Sequence, residues 1–169
     1  MRAHQDLRPE DITALIDTRE QLPLEDLDLP TQRATLACGD YSVLGLEHVI
    51  AVERKSLADL VMCVGRERER FERMLRLMRG YEVRVIVIEA PWAAIEMKQY
   101  RGEVAPEAVI GSIYSWIARG ITVELAGDRS RAAKAVSRIL FAGARERWRQ
   151  LQGLQNGLRI APKAKGVAS

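Results

Sequence analysis

Two carboxylates and an amine stand at spacings that one β-hairpin can bring together. Asp40 and Glu53 lie on either side of a turn around Gly45, and Lys55 follows Glu53 by two residues. Successive strand side chains alternate between faces, so Glu53 and Lys55 share a face and Arg54 takes the other. With Leu44 opposite Val49, the register carries Asp40 across from Glu53, their Cβ atoms about 5 Å apart. Carboxylates that close repel unless a positive charge lies between them. Mg²⁺ is a natural occupant, because it takes carboxylate oxygens and keeps several waters. Lys55 could then orient or deprotonate a water while the cation neutralises charge developing on phosphorus. On residue types alone the same cluster is more often a surface ion-pair group, and Glu-x-Lys is a weak pattern.

Readable elements flank this trio. Residues 12–17 are a short apolar run ending in Asp17, expected as a buried strand, with Glu20 three residues on. Residues 33–38 suggest another strand, and the β-branched runs 40–44 and 49–55 form the hairpin arms. Ser56 and Asp59 stand at capping-box spacing, with Asp in place of the usual Glu or Gln, and open a helix over Leu57–Val64. A second helix over 66–79 carries Phe71, Met74, Leu75 and Met78 on one face and ends at Gly80. Its Arg66, Arg70 and Arg73 interleave with Glu67, Glu69 and Glu72, which fits either phosphate contact or an ion-paired face. A nearly continuous apolar strand over Val83–Ile88 follows. Next come a short helix from Pro91 to about Tyr100, a helix from Pro106 to Arg119, and a strand over 121–125. The last element is a long helix from Asp128 or Ser130 to about Gln152. This order predicts an α/β fold: one domain over 1–152 with a mixed central sheet flanked by helices, and a basic, frayed tail over 153–169.

The chain has 169 residues, 47% of them hydrophobic and 29% charged, which fits one folded domain and excludes a disordered chain. Charge breaks every apolar run, so no membrane span is expected, and residues 1–10 lack the apolar core of a signal peptide. Two cysteines, Cys38 and Cys63, make neither a disulfide framework nor a zinc site. His4 and His48 have no partner motif. A soluble, cytoplasmic protein is expected. Residues 131–169 hold nine Lys/Arg and one acid, whereas residues 1–130 hold 17 bases and 22 acids. A basic terminal third behind an acidic body suggests a polyanionic partner, or else a solvated helix face and tail.

The strings Ile16-Asp-Thr-Arg-Glu20, Gly39-Asp-Tyr41 and Val52-Glu-Arg-Lys-Ser-Leu-Ala-Asp-Leu60 carry more information than composition. Together they resemble the nuclease domain of the XPF family of structure-specific DNA endonucleases. That signature runs Gly-Asp, a hairpin, then Glu-Arg-Lys with an Asp four residues beyond the Lys. The resemblance extends over roughly residues 12–142, through the arginine-rich helix, residues 83–89, the string Gly111-Ser-Ile-Tyr-Ser-Trp116 and Ala126-Gly-Asp-Arg129. It implies a restriction-endonuclease-like fold and metal-dependent hydrolysis of phosphodiester bonds in branched, flapped or otherwise structured DNA.

The resemblance also implies roles. Asp40 and Glu53 would be the principal ligands of Mg²⁺ or Mn²⁺, with Asp17 touching a metal-bound water, Glu20 adding acidic character and Lys55 as the catalytic lysine. Arg54 would be catalytic, or would tie the hairpin to Asp59 or Glu20. Arg19, Arg66 and Arg70 are candidates for DNA contact, and Asp59 supports the site or simply caps its helix. Family members dimerise, so a homodimer is expected through residues 110–119 (Ile110, Ile113, Tyr114, Trp116, Ile117) and 136–141 (Val136, Ile139, Leu140, Phe141). No tandem helix-hairpin-helix or helicase pattern accompanies the domain, and Phe71-Glu72-Arg73-Met74 stands where many members have a glutamine. These departures suggest a stand-alone prokaryotic or phage version associated with the nucleoid. A catalytically silent DNA-binding subunit and a protein-interaction domain with structural ion pairs are the alternatives.

Overall fold

The computed structural model describes residues 6–159; His4 and residues 160–169 of the expected tail lie outside these residues. A six-stranded mixed sheet has the order β2-β1-β3-β4-β5-β6. Its strands are β1 (Ala14–Asp17), β2 (Thr31–Ala34), β3 (Tyr41–Val43), β4 (Ile50–Lys55), β5 (Val83–Ile88) and β6 (Thr122–Leu125). β1 runs parallel to β2 and antiparallel to β3, β3 is antiparallel to β4, and β4, β5 and β6 are parallel. The helices are α1 (Leu57–Val64), α2 (Arg68–Met78), α3 (Trp92–Glu96), α4 (Pro106–Ala118) and α5 (Arg129–Arg159). This is the mixed sheet with flanking helices that the residue pattern predicts.

Strand alternation divides the core. On one face Ile16, Tyr41, Ile50, Val52, Val85 and Val87 pack against Ala133, Val136 and Leu140 of α5. On the other, Ala51, Ile86 and Ile88 meet Leu60 of α1, Phe71 and Leu75 of α2, and Ile113 and Trp116 of α4. Trp116 meets Phe71 edge-on at 5.1 Å between ring centroids, a favoured aromatic geometry.

Three expectations change. The strand expected over 33–38 lies at Thr31–Ala34 on the sheet edge, mostly exposed. Residues 35–38 leave the ladder because the Asp17 carboxylate takes the Leu36 amide and Arg19 takes the Leu36 carbonyl. The final helix runs to Arg159, seven residues beyond Gln152. Ile113, Trp116, Val136 and Leu140, expected at a dimer interface, are 2% exposed or less and belong to the protomer's own core. Of that set Tyr114 and Ile117 remain exposed, with Trp92 stacked on Tyr114.

Candidate active site

The pairing of Tyr41 with Val52 matches the register read from the hairpin. Gly39 fixes what comes before it. Its φ of +78° favours glycine, and a Cβ there would lie 2.9 Å from the Val52 carbonyl oxygen. This close approach lets the Asp40 amide donate to the Val52 carbonyl at 2.8 Å. The Asp40 Oδ2 accepts from the Arg54 amide at 2.8 Å. One carboxylate oxygen of Asp40 is thus fixed by backbone, and the other is available to an outside partner. On its far side, the Asp40 carbonyl accepts from the Asp17 amide at 2.8 Å. Continuing the registers of β1, β3 and β4 aligns Asp17, Asp40 and Glu53 as a row of acids across three strands.

The Glu53 carboxylate is paired with the Lys55 ammonium, whose Nζ also lies 5.4 Å from the centre of the Phe71 ring. Burial, then the Glu53 charge, pushes the Asp40 carboxyl up to about 7, although Lys55 and the Arg54 amide act the other way. Burial works against the Lys55 charge, but Glu53 and Asp40 outweigh it and raise its pKa, so Lys55 is an ammonium at neutral pH. The two acids together carry more negative charge than Lys55 offsets. A hard cation would relieve that excess, and two carboxylates leave the rest of an octahedron to water and phosphate oxygens. Among the described residues no cluster of three or more His, Cys, Asp or Glu forms a ready-made metal cage. A cation here would therefore rest on Asp40 and Glu53.

Asp17 is otherwise engaged. Its Oδ1 accepts from the Arg19 amide and Nε, and its Oδ2 from Arg19 Nη2 and the Leu36 amide, at 2.7–3.0 Å. Burial acts to raise its pKa, yet the Arg19 guanidinium and the two amides hold it below the usual carboxylate range. Both carboxylate oxygens of Asp17 thus aim the Arg19 guanidinium.

Arg54 lies on the opposite face of β4, with only 7% of its side chain exposed. Its guanidinium bridges Glu20 at 3.3 Å and Glu89 at 2.9 Å, and its buried Nε has no partner. Glu89 also pairs with Arg129 at 3.2 Å, which in turn donates to the Leu22 and Pro23 carbonyls. This chain of charges binds the loop after β1 to the ends of β4 and β5 and to the start of α5. Sequence reasoning missed Glu89. Its signal is its place directly after the apolar run of β5, whose Ile88 lies beside Lys55.

Ser56 caps α1 as the spacing predicts, and Asp59 supports it: the Asp59 amide donates to Ser56 Oγ at 3.1 Å, and Asp59 Oδ2 accepts from the same hydroxyl at 2.7 Å. Asp17, Glu20, Asp40, Glu53, Arg54, Lys55 and Asp59 all line one open cleft of about 570 Å³, with Arg19, Arg70 and Arg73 among its other lining residues. Arg66 is not among them. It precedes α2, lies in the wall of a separate cavity beside Tyr100, and donates to the Met62 sulfur. Arg73, from α2, lines the cleft instead. Cys38 and Cys63 are free, buried thiols, each pushed up to about 11 chiefly by burial.

A mixed α/β sheet with acids, an ammonium and arginines gathered at the strand ends defines a restriction-endonuclease-like domain. The ERCC4 domain model matches residues 11–139, and the chain belongs to that family of XPF-type nuclease domains. Among solved structures, XPF from Aeropyrum pernix is similar, with a TM-score of 0.62 and 24% identity over 85% of this chain and 73% of that one; this likeness shows the fold. No curated protein sequence matches the chain significantly.

Proposed function

We propose that the chain is a metal-dependent endodeoxyribonuclease that hydrolyses phosphodiester bonds in branched, flapped or otherwise structured DNA. The observation that carries this reading is the convergence of Asp40, Glu53 and Lys55 on one face of β4 and its neighbour, inside a cleft lined by arginines. Asp40 and Glu53 are the candidate ligands of Mg²⁺ or Mn²⁺. When bound, the cation supplies Lewis-acid polarisation of the scissile phosphate and activation of a water. Lys55, as an ammonium held by Glu53, orients the attacking water and offsets negative charge gathering on the phosphate. Arg19, Arg70 and Arg73 hold the flanking phosphates, and Arg19 is aimed by its fork on Asp17. Arg54 acts through Glu20 and Glu89, fixing the loop over the cleft. Family membership supports a nuclease, and the intact acid–lysine set favours an active enzyme over a silent subunit. Among the described residues no helix is long and apolar enough to cross a membrane. The reading places the enzyme in the cytoplasm with the nucleoid.

The test is incubation with flapped, forked and fully duplex DNA, with Mg²⁺ or Mn²⁺ or with chelator. Cleavage of the branched substrates that requires the cation and is lost in Asp40→Asn and Lys55→Ala is the expected result. Cleavage that persists in either variant refutes the assignment.

A further inference from the structure

The Lys55 head is held by fewer groups than its charge demands. An ammonium carries three donors, and its one hydrogen-bond acceptor among the described residues is the Glu53 carboxylate. Asp40 attracts it through space without a hydrogen bond. The side chain is only 15% exposed, so water replaces little of what is missing. Glu53 is also a candidate metal ligand, which divides its hold on the lysine. A second, fixed partner is the face of Phe71, whose centre lies 5.4 Å from Nζ, within the roughly 6 Å over which a ring attracts a cation. That ring is itself immobilised: Phe71 is buried on the core side of α2 with Leu75 and Met78, and it meets Trp116 edge-on.

Lys55 also borders two spaces at once. One is the open cleft, and the other is a side cavity of about 140 Å³ whose walls include Phe71 and Glu67. Glu67 is paired with Arg70 at 3.7 Å, and both side chains are exposed, a pairing that contributes little. Its carboxylate is therefore open to competition from an ammonium on a flexible four-carbon stem.

We propose that Phe71 is a positioning residue for the hydrolysis: its ring face keeps the Lys55 ammonium turned to the cleft and out of the side cavity, where Glu67 would otherwise capture it. A ring suits this place better than a third acid. It attracts the whole cation and accepts no particular N–H in a set direction, so donors remain for a water in the cleft. A carboxylate there would take one of those donors and draw the head toward itself. Phe71, which periodicity marks only as core, thus has a second task on the side of the ring that Trp116 does not meet. Its effect on rate rests on the nuclease reading, whereas the contact with Lys55 does not.

Two measurements on the full chain test this. Lys55 is one of five lysines, so carbon-13 labelling of lysine gives a simple NMR spectrum that needs no activity. The Lys55 methylene protons are expected upfield of the others in wild type and in Phe71→Tyr, and to lose that displacement in Phe71→Leu; Lys55→Met identifies the signals. Cleavage of flapped DNA in Mg²⁺ is the second measurement. Phe71→Leu keeps apolar bulk against Trp116 and is expected to lower kcat about 5- to 30-fold, with KM within about twofold of wild type. Phe71→Tyr keeps the ring face and most of the rate. Phe71→Leu/Glu67→Gln removes the competing carboxylate and recovers most of the loss, which a merely loosened core would not do. Circular dichroism and urea midpoints check the fold of each variant. Wild-type protein that cleaves no DNA refutes the nuclease reading and the rate effect with it, and the Lys55 signal still judges the contact. An unshifted wild-type Lys55, a Phe71→Leu enzyme at full rate, a loss confined to KM, or a double variant no better than Phe71→Leu overturns the proposal.

Discussion

Replacing Arg54 with methionine keeps most of the side-chain volume and removes the charge. Glu20 and Glu89 are then left 9% and 11% exposed with no guanidinium between them. Breaking one partner out of a buried ionic network costs about 3–5 kcal/mol, because the remaining charge is neither solvated nor paired. Arg129 still reaches Glu89 from the half-open side, so the lower end, about 3 kcal/mol, applies. For a chain of this size each kcal/mol lowers Tm by about 2–4 °C, which predicts a fall of roughly 6–12 °C. The triple variant Arg54→Met/Glu20→Gln/Glu89→Gln removes the stranded charges and is expected to recover more than half of that loss. Urea unfolding with an unchanged m value measures both. An Arg54→Met protein within about 1 kcal/mol of wild type, or a triple variant no better than the single one, refutes the network as described.

Three further outcomes follow from the same geometry. In chelator, the Asp40 pKa of about 7 lies above its unfolded value of 3.8. Its contribution is therefore fully present below pH 4 and is lost as pH rises through 7, by up to about 4 kcal/mol. Urea midpoints taken between pH 4 and 8 should show this fall, and Asp40→Asn should flatten it; an unchanged slope in that variant contradicts the account. Gly39→Ala places a Cβ 2.9 Å from the Val52 carbonyl at a φ of +78°, and a loss of about 1–3 kcal/mol is expected by urea unfolding. Arg70→Ala and Arg73→Ala should each weaken DNA binding and reduce the slope of log K against log salt by about one, whereas Arg66→Ala should do neither; fluorescence anisotropy across a salt series reads this out.

Much of the site is legible in the sequence because a hairpin needs little information. Alternation and one turn fix which side chains of β4 share a face, and the pairing of Tyr41 with Val52 follows from the position of the turn. The elements of the helical half are equally readable, since Ser56 caps α1 and the apolar stripe of α2 is buried at Phe71, Leu75 and Met78. What sequence periodicity does not contain is competition from side chains for backbone. Residues 35–38 look like a strand, but Asp17 and Arg19 claim the Leu36 amide and carbonyl and pull the segment out of the sheet. Likewise Arg66 shares the spacing of Arg70 and Arg73 but stands before the first turn of α2, so that spacing does not bring it to the cleft. Glu89 ends a readable strand, but its pairing with Arg54 is not readable, because that partner stands on a different strand 35 residues earlier.

The Glu53-Arg54-Lys55 string becomes intelligible as a consequence of strand parity. Two residues on one face supply the acid and the ammonium of the cleft, and the residue between them must emerge on the other side of the sheet. There α5 has only just begun, at Arg129, so its body cannot cover the strand end with apolar side chains. A buried arginine with an acid on either side fills that place and joins β1's loop to the end of β5, and Glu89 passes the link on to Arg129 of α5. The same strand therefore presents the acid and the ammonium forward and anchors their surroundings behind. Substituting lysine for Arg54 would keep the charge but lose the planar fork that reaches Glu20 and Glu89 at once. The loop carrying Arg19 and Glu20 would then lose its tie to β4 while Glu53 and Lys55 kept their own pairing, which separates the positioning of the cleft wall from the chemistry of its floor.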